Sequence, residues 1–201
     1  MWIKICGLTT AEAVAAALDA KVDAIGFVFA SSSRQVVPAQ AAKLAEPARG
    51  RVACIAVTQH PTQQWVDEIV TTFAPDYLQT DAQDLIALKL PRGTNALPVL
   101  RAGAQLPTPL PARLLFEGPV SGRGIAFDWS QAQAVARRAQ LVLAGGLNAG
   151  NIAAAIEAVR PFGVDVSSGV EAQPGVKSPE QIFRFVAAAR AACRSVEENP
   201  Q

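Results

Sequence analysis

Eight short apolar runs, rich in β-branched residues, alternate with alanine-rich segments of helical period along the whole chain. Most runs lack in-out alternation, which is typical of parallel strands that are buried on both faces. The predicted strands are Trp2–Cys6, Ala24–Phe29, Val52–Val57, Tyr77–Gln79, Leu97–Arg101, Leu114–Phe116, Leu141–Ala144 and Val164–Val166. Strands that alternate with helices in this way predict an α/β fold with a parallel sheet.

The segments between the strands predict seven helices, near Thr10–Ala20, Pro38–Ala45, Thr62–Phe73, Ala82–Leu88, Ser130–Arg138, Ala149–Val159 and Pro179–Ala192. Thr9 with Glu12, and Ser178 with Gln181, fit capping boxes at the first and last of them. The fifth helix is missing or vestigial, because residues 102–111 are rich in proline. This set favours a short (βα)8 TIM barrel, and an open doubly wound sheet is the alternative.

Length and charge limit the classes of function. The chain has 201 residues, half of them hydrophobic, which suits one core, so we predict a single domain over residues 1–196 with a frayed tail at 197–201. The 18 basic and 17 acidic residues form no block of like charge. This balance argues against a nucleic-acid or membrane partner and favours a small molecule. The assembly, monomer or homodimer, is left open.

The sequence predicts neither an export signal nor a membrane span. The first residues lack a basic region followed by a long apolar stretch and a small-residue cleavage site. The longest uncharged stretch, residues 139–156, contains two adjacent glycines and two asparagines, which is typical of a strand, a turn and a helix rather than a membrane span. We therefore expect a cytoplasmic protein.

The chain offers few of the residues that most catalytic sites use. Cys6, Cys54 and Cys193 are widely spaced and form no CxxC pair, which predicts neither a disulfide framework nor a zinc site. His60 is the only histidine, so Ser-His and His-metal arrangements lack parts. Any chemistry must therefore use carboxylates, a thiol or a lysine.

Two loops of small residues follow the last two predicted strands. Gly145 and Gly146 follow the seventh strand, and Ser167, Ser168 and Gly169 follow the eighth. In a parallel barrel these two loops form the recurring phosphate site, because glycines let the backbone approach an anion and helix N-terminal amides point at it. These residues can also serve only to turn the chain, but two such loops on adjacent strands favour a phosphate site.

Candidates for acid and base chemistry stand at the ends of two strands. Cys6 ends the first strand just before a helix, whose dipole, with the phosphate-site donors, is expected to lower a thiol pKa from about 8.5 toward neutrality. Cys6 would then accept a proton, and the alternative is that it is an ordinary small core residue. Glu117 follows the sixth strand, where partial desolvation raises a carboxyl pKa and suits a proton donor. Cys54 and Cys193 are expected to be ordinary structural residues.

Three further residues each have two possible roles. Arg34 lies in the loop after the second strand, where its planar guanidinium can pair with a substrate carboxylate or simply be solvated. Asp165 lies within the apolar eighth strand, and a carboxylate there needs a partner, so it either lines the site or is satisfied inside the barrel. His60 precedes Pro61 in a loop and is a weaker candidate.

Six short motifs run along the chain in a particular order: Lys4-Ile5-Cys6-Gly7 with Thr9, Gly26-Phe27-Val28-Phe29 leading to Ser33-Arg34, Phe127-Asp128-Trp129, Gly145-Gly146-Leu147, residues 164–171 (VDVSSGVE), and Pro174-Gly175 with Lys177. Their order and spacing resemble those of the phosphoribosylanthranilate isomerases. The resemblance implies a barrel enzyme of tryptophan biosynthesis that converts N-(5-phosphoribosyl)anthranilate to its 1-deoxyribulose isomer by an Amadori rearrangement, without a cofactor.

The resemblance also implies roles for particular residues. In such enzymes a general acid protonates the furanose ring oxygen, the ring opens to a Schiff base, and a cysteine removes the C2' proton. Cys6 falls on the family's base and Arg34 on its arginine near the anthranilate carboxylate. The loops around Gly146 and Ser168 fall on its phosphate site.

Two positions depart from the family pattern. The acid is usually an aspartate that closes the sixth strand, whereas this chain has Phe116 followed by Glu117 and then a slightly shorter loop. We predict that Glu117 is the acid, and the pleat of the strand decides whether it faces inward. After the fourth strand, residues 79–82 read Gln-Thr-Asp-Ala where the family commonly reads Gln-Leu-His-Gly, which concerns loop contacts more than the chemistry.

Two other functions remain open. A related phosphate-binding barrel, such as an epimerase or a synthase acting on indole or thiamin precursors, would need a metal set or a catalytic lysine on a strand. Lys4 is the only lysine on a predicted strand, and we expect it to face away from Cys6. A degenerate barrel that binds a phosphorylated ligand without turnover is the third possibility, since the acid has changed.

Overall fold

A computed structural model describes residues 1–119 and 129–198. Its parallel strands pair in sequence order and close into a barrel, with the first strand beside the last. They are β1 Trp2–Cys6, β2 Ala24–Val28, β3 Ala53–Val57, β4 Tyr77–Asp81, β5 Asn95–Arg101, β6 Arg113–Glu117, β7 Gln140–Leu143 and β8 Gly163–Val166. All eight predicted strands are confirmed, and the barrel rather than the open sheet is the architecture.

The helices of the described residues pack around the barrel: α1 Ala11–Asp19, α2 Pro38–Ala45, α3 Gln63–Phe73, α4 Ser130–Ala136, α5 Ile152–Val159 and α6 Pro179–Glu198. Between β5 and β6 the described chain forms no helix, as the prolines predicted. None of the helices in residues 1–119 and 129–198 has the length and apolar character that crossing a membrane requires. Asp128 and the rest of residues 120–128, including the first two residues of the Phe-Asp-Trp motif, lie outside the described residues.

The helix predicted near Ala82–Leu88 is wrong, because only a 3-10 turn at Asp84–Ile86 stands there. The carboxylate of Asp84 accepts a hydrogen bond from the hydroxyl of Thr80 at 2.8 Å and another from the backbone N–H of His60 at 3.0 Å. These contacts tie the segment to the end of β4 and to the loop after β3, and they compete with helical backbone pairing.

The two predicted capping boxes have different outcomes. Helix α1 is capped by Thr10 rather than by Thr9, since the N–H of Ala13 donates to Thr10 Oγ1 at 3.2 Å. Thr9 Oγ1 instead donates to the carbonyl of Gly175 at 3.0 Å. Thr9 therefore joins the first loop to the segment after β8.

The start of α6 is confirmed, because the N–H of Gln181 donates to Ser178 Oγ at 3.3 Å. The helix runs through Glu198, so residues 197 and 198, which we expected in the tail, are helical. Residues 199–201 lie outside the described part. Just before α6, strands β9 (Glu171–Gln173) and β10 (Val176–Lys177) form a small antiparallel hairpin beside the loop after β8.

Alternate side chains of each strand face two different apolar regions. One set fills the inside of the barrel and consists of Ala24, Ile55, Leu97, Val99, Leu115, Val142 and Ala144. The other set packs outward beneath the helices and includes Ile3, Ile5 and Phe116. Because Leu115 faces inward and Phe116 outward, the pleat directs Glu117 inward.

Candidate active site

A pocket of about 390 Å³ opens at the C-terminal ends of the strands. That volume lies within the range of small-molecule sites. Nearly all the side chains and loops predicted from the sequence meet there: Cys6, Arg34, Glu117, Gly145, Gly146, Asp165, Ser167 and Ser168. Residues far apart along the chain are therefore brought to one mouth of the barrel, where parallel barrels carry their sites.

Gly169 does not line this pocket. A Cβ atom built on Gly169 would lie only 2.0 Å from the carbonyl oxygen of Leu147. The glycine therefore lets the loop after β8 (loop 8) pack directly against the loop after β7 (loop 7). Gly169 thus has a packing role in the structure and no place in the lining of this pocket.

The loop after β7 needs glycine at two successive positions. Gly145 and Gly146 have φ values of 95° and 68°, a left-handed region that favours glycine. The turn is held by Asn151, whose side-chain amide donates to the carbonyl of Gly146 at 2.8 Å and whose Oδ1 accepts from the N–H of Asn148 at 2.8 Å. Loop 7 is thus a fixed turn immediately before α5.

Cys6 lines the pocket and is only 6% exposed. Burial raises the pKa of its thiol above the ordinary value, and the positive charge of Lys4 lowers it only in part. The expectation of a pKa lowered toward neutrality is wrong, because desolvation outweighs the nearby cations. Any thiolate that forms here must depend on those cations.

Lys4 faces Cys6 inside the barrel, so the expectation that it faces away is wrong. Residues two apart on a strand share a face, and Trp2, Lys4 and Cys6 all point inward. Lys4 Nζ lies 2.9 Å from Asp165 Oδ1 on the neighbouring β8. Burial lowers the pKa of Lys4, but the charge of Asp165 and the thiol outweigh burial and raise it overall. Asp165 is therefore satisfied inside the barrel and also lines the pocket.

Glu117 ends β6 and pairs with an arginine that the sequence analysis did not single out. Arg101 ends β5, and its Nη2 lies 3.2 Å from Glu117 Oε1. Its Nη1 lies 2.5 Å from Oδ1 of Asp81, the residue at the departure after β4. The guanidinium therefore bridges the carboxylates of two strands. Its position at a strand end was the signal that could have identified it.

The loop after β3 joins this network from the solvent side. His60 Nδ1 lies 3.0 Å from Asp84 Oδ1, and its Nε2 lies 3.7 Å from Asp81 Oδ2. The hydrogen bond with Asp84 raises the pKa of His60. These three side chains have potential ligand atoms within 4.8 Å of one another. The ion pairs account for their grouping.

Arg34 is held at the pocket edge by a carboxylate from the hairpin after β8. Its Nε and Nη2 lie 2.7 Å and 2.8 Å from the two oxygens of Glu171. Lys177, whose side chain is fully buried, brings Nζ to 2.5 Å from Glu171 Oε1 and 3.1 Å from the carbonyl of Ser167. The hairpin thus links Arg34, in the loop after β2, to Ser167, in the loop after β8.

The pKa values of this group follow from its geometry. Burial raises the pKa of Glu171, but the hydrogen bonds from Arg34 and Lys177 outweigh burial and hold it below its usual value. Burial also lowers the pKa of Lys177. One carboxylate between two cations leaves a net positive charge at the pocket edge, which suits an anionic ligand.

Gln79 is a pocket residue that the sequence analysis did not assign to the site. It is only 7% exposed, and its Oε1 has no hydrogen-bond partner among the described residues. A buried polar atom without a partner is uncommon and is a natural contact for a ligand donor. The signal in the sequence was a polar side chain at the end of a buried strand.

The fold and the pocket are those of a (βα)8-barrel enzyme that acts on a small molecule. A thiol, a carboxylate, a loop with two glycines and a loop with two serines lie at the mouth of the barrel. A family model described as N-(5'phosphoribosyl)anthranilate (PRA) isomerase matches residues 3–188. A Mesorhizobium japonicum protein named N-(5'-phosphoribosyl)anthranilate isomerase is 41% identical, covering 94% of this chain and 96% of that protein. The chain therefore belongs to the N-(5'-phosphoribosyl)anthranilate isomerase family.

Solved structures agree with this assignment. TrpF from Jonesia denitrificans is 33% identical, with a TM-score of 0.77 over 96% of this chain and 98% of that one. A phosphoribosyl anthranilate isomerase solved in complex with reduced 1-(o-carboxyphenylamino)-1-deoxyribulose 5-phosphate is 26% identical, with a TM-score of 0.76 over 95% and 99% of the two chains. The family resemblance and the barrel prediction are both confirmed.

Proposed function

We propose that this protein converts N-(5'-phosphoribosyl)anthranilate to 1-(2-carboxyphenylamino)-1-deoxyribulose 5-phosphate in tryptophan biosynthesis. The observation that carries the proposal is the meeting of Cys6 and Glu117 at one pocket, in a chain of this isomerase family. The solved relative that binds a reduced form of the product supports the same substrate class.

The two ends of this substrate are anionic, and the pocket offers a place for each. Loops 7 and 8 hold the phosphate through backbone N–H groups and the hydroxyl of Ser168, while the hydroxyl of Ser167 donates to the carbonyl of Cys6. Arg34 binds the anthranilate carboxylate with the N–H groups that Glu171 does not use, since a guanidinium has five and Glu171 takes two. Binding at both ends places the ribose between Glu117 and Cys6.

The chemistry then needs one proton donor and one acceptor. Glu117 gives a proton to the furanose oxygen as the C1'–O bond breaks, and the amine lone pair forms the Schiff base. Cys6, as the thiolate, removes the C2' proton to give the enolamine, which tautomerises to the product ketone. One proton is delivered and one is taken, so exchange with solvent restores both groups.

Arg101 and Gln79 support these steps in the proposal. Arg101, whose Nη2 lies 3.2 Å from Glu117 Oε1, positions the side chain that delivers the proton. Gln79 offers its unpartnered Oε1 to a substrate N–H or O–H. We further propose that the enzyme works without a cofactor, in the cytoplasm, as a monomer or homodimer.

The test is to generate phosphoribosylanthranilate in situ and follow the loss of its fluorescence with the purified protein. Turnover is the expected result. Thermal stabilisation by a stable substrate analogue without any turnover would contradict the proposal and favour the degenerate barrel, because binding alone raises stability. Turnover with an indole or thiamin precursor instead would favour a related barrel enzyme.

A further inference from the structure

Lys4 is a buried ionisable residue that the proposed reaction does not use. Its side chain is fully buried inside the barrel, and it is absent from the residues that line the pocket. A buried ammonium is costly unless it is paired and hydrogen-bonded. Asp165 supplies one partner at 2.9 Å. The second neighbour of the ammonium is the thiol of Cys6.

Gly26 shows how close Lys4 and Cys6 lie to each other. A Cβ atom built on this β2 residue would lie 3.0 Å from Lys4 Cε, 3.1 Å from Cys6 Sγ and 3.2 Å from Lys4 Nζ. The ammonium and the thiol therefore both border the space above Gly26, where any side chain would be in tight contact with each of them. The strand register places Lys4 and Cys6 on the same inward face of β1, with Gly26 directly across from Cys6.

We propose that Lys4 is a positioning residue that stabilises the thiolate of Cys6, and that Asp165 limits how strongly it does so. The catalytic consequence rests on the proposed function, in which Cys6 is the base. The electrostatic coupling itself does not. Lys4 touches no substrate and acts only through the sulfur.

The charges that face Cys6 have opposite effects on its pKa. Burial raises it, Lys4 on the same strand lowers it, and Asp165 on β8 raises it. Lys177 from the hairpin lowers it more weakly. Arg34 at the pocket edge is a further cation that interacts with the thiol. Lys4 is the largest of the influences that favour the thiolate.

The coupling is tested by the pH dependence of alkylation of Cys6 by iodoacetamide, a small neutral reagent, followed by peptide mass spectrometry. Trypsin cleavage places the three free cysteines in different peptides. We expect Lys4→Met to move the midpoint to higher pH and to slow alkylation near neutrality at least about tenfold, one pKa unit being a factor of ten. We expect Asp165→Asn to move the midpoint to lower pH. Dividing each rate by the alkylation rate at high pH, where Cys6 is fully ionised, corrects for differences in how easily the reagent reaches the thiol.

Two controls accompany these variants. Lys89→Met removes an exposed lysine and should leave the midpoint unchanged. Cys54 on β3, whose pKa burial raises to about 11, should titrate identically in every variant.

The double variant Lys4→Met with Asp165→Asn leaves no unpaired buried charge, so it keeps the test valid if a single variant misfolds. Its midpoint should still lie above that of the parent, because Lys4 has the larger effect.

Opposite shifts in Lys4→Met and Asp165→Asn support the proposal, since a loosened barrel would move both midpoints the same way. Unchanged midpoints, or shifts of the same sign, overturn it. Turnover provides a second readout: Lys4→Met should lower kcat with KM within about twofold, because Lys4 does not line the pocket. If Cys6→Ser retains turnover, the proposed base fails, while the titration still decides whether Lys4 and Cys6 are coupled.

Discussion

Arg34 and Glu171 form a two-point ion pair across 137 residues of sequence, with Nε–Oε1 and Nη2–Oε2 distances of 2.7 Å and 2.8 Å. Both side chains are largely buried, and the carboxylate also pairs with Lys177. The plane of the guanidinium is therefore fixed before substrate arrives. Such preorganisation reduces the entropic cost of ordering the side chain when substrate binds.

Glu171→Gln keeps the size of this side chain but removes its charge. We expect KM for phosphoribosylanthranilate to rise about tenfold, because a charge-assisted contact is worth about 1.5–3 kcal/mol and its loss leaves Arg34 unfixed. The change in kcat should be smaller, since the acid and base are not touched. Steady-state kinetics check this, with the exposed Glu68→Gln as the matched control. An unchanged KM would show that Glu171 does not position Arg34.

The same carboxylate makes folding stability depend on pH. Hydrogen bonds from Arg34 and Lys177 hold the pKa of Glu171 below its ordinary 4.5 despite burial. A lowered folded-state pKa contributes stability that is present above the unfolded value and is lost as pH falls through the folded one. The stability advantage of the parent over Glu171→Gln should therefore shrink below about pH 4.5. Urea unfolding at a series of pH values measures it, and an advantage that grows toward acid would contradict the ion-pair account.

Arg101→Met removes the cation that bridges Glu117 and Asp81. We expect kcat/KM to fall on the order of 10- to 100-fold, because a carboxylate that loses its anchor is misplaced relative to the ring oxygen. Arg101→Lys keeps the charge and should recover part of the loss. Equal activity in all three proteins would mean that Arg101 has no positioning role.

Gly169→Ala tests the contact between loops 7 and 8. The added Cβ would lie 2.0 Å from the backbone oxygen of Leu147, which cannot move aside like a side chain. We expect a higher KM and weaker inhibition by inorganic phosphate, together with a loss of stability of about 1–3 kcal/mol. Gly150→Ala is the control, because its new Cβ meets only the side-chain oxygen of Asn148, at 3.1 Å. Equal effects in both variants would contradict a specific role for the packing at Gly169.

The apolar runs carried most of the information about the fold, since strands buried on both faces must be continuously apolar. The orientation of Lys4 was also contained in the sequence, because residues two apart on a strand share a face; the interpretation was wrong. The helix expected after β4 failed because Asp84 pairs locally with the hydroxyl of Thr80 and also with the backbone of His60, which lies 24 residues away. Propensity alone does not contain such contacts.

Site residues at the ends of strands could be predicted from the sequence, whereas the side chains that pair with site residues could not. Cys6 and Glu117 follow from their places at the ends of β1 and β6. Glu171 and Lys177 are far from Arg34 in sequence, so their pairing requires the fold. The pKa of Cys6 was misjudged because its burial, the dominant influence, is a property of the closed barrel.

The central claim is that Cys6 and Glu117 act as base and acid of one isomerisation. Single-turnover decay of phosphoribosylanthranilate fluorescence, with excess parent, Cys6→Ser or Glu117→Gln, tests it most directly. The account predicts rapid decay with the parent and a loss of at least about 100-fold in each variant, the usual contribution of a general acid or base. Decay within a few-fold of the parent in either variant would contradict the role assigned to that residue.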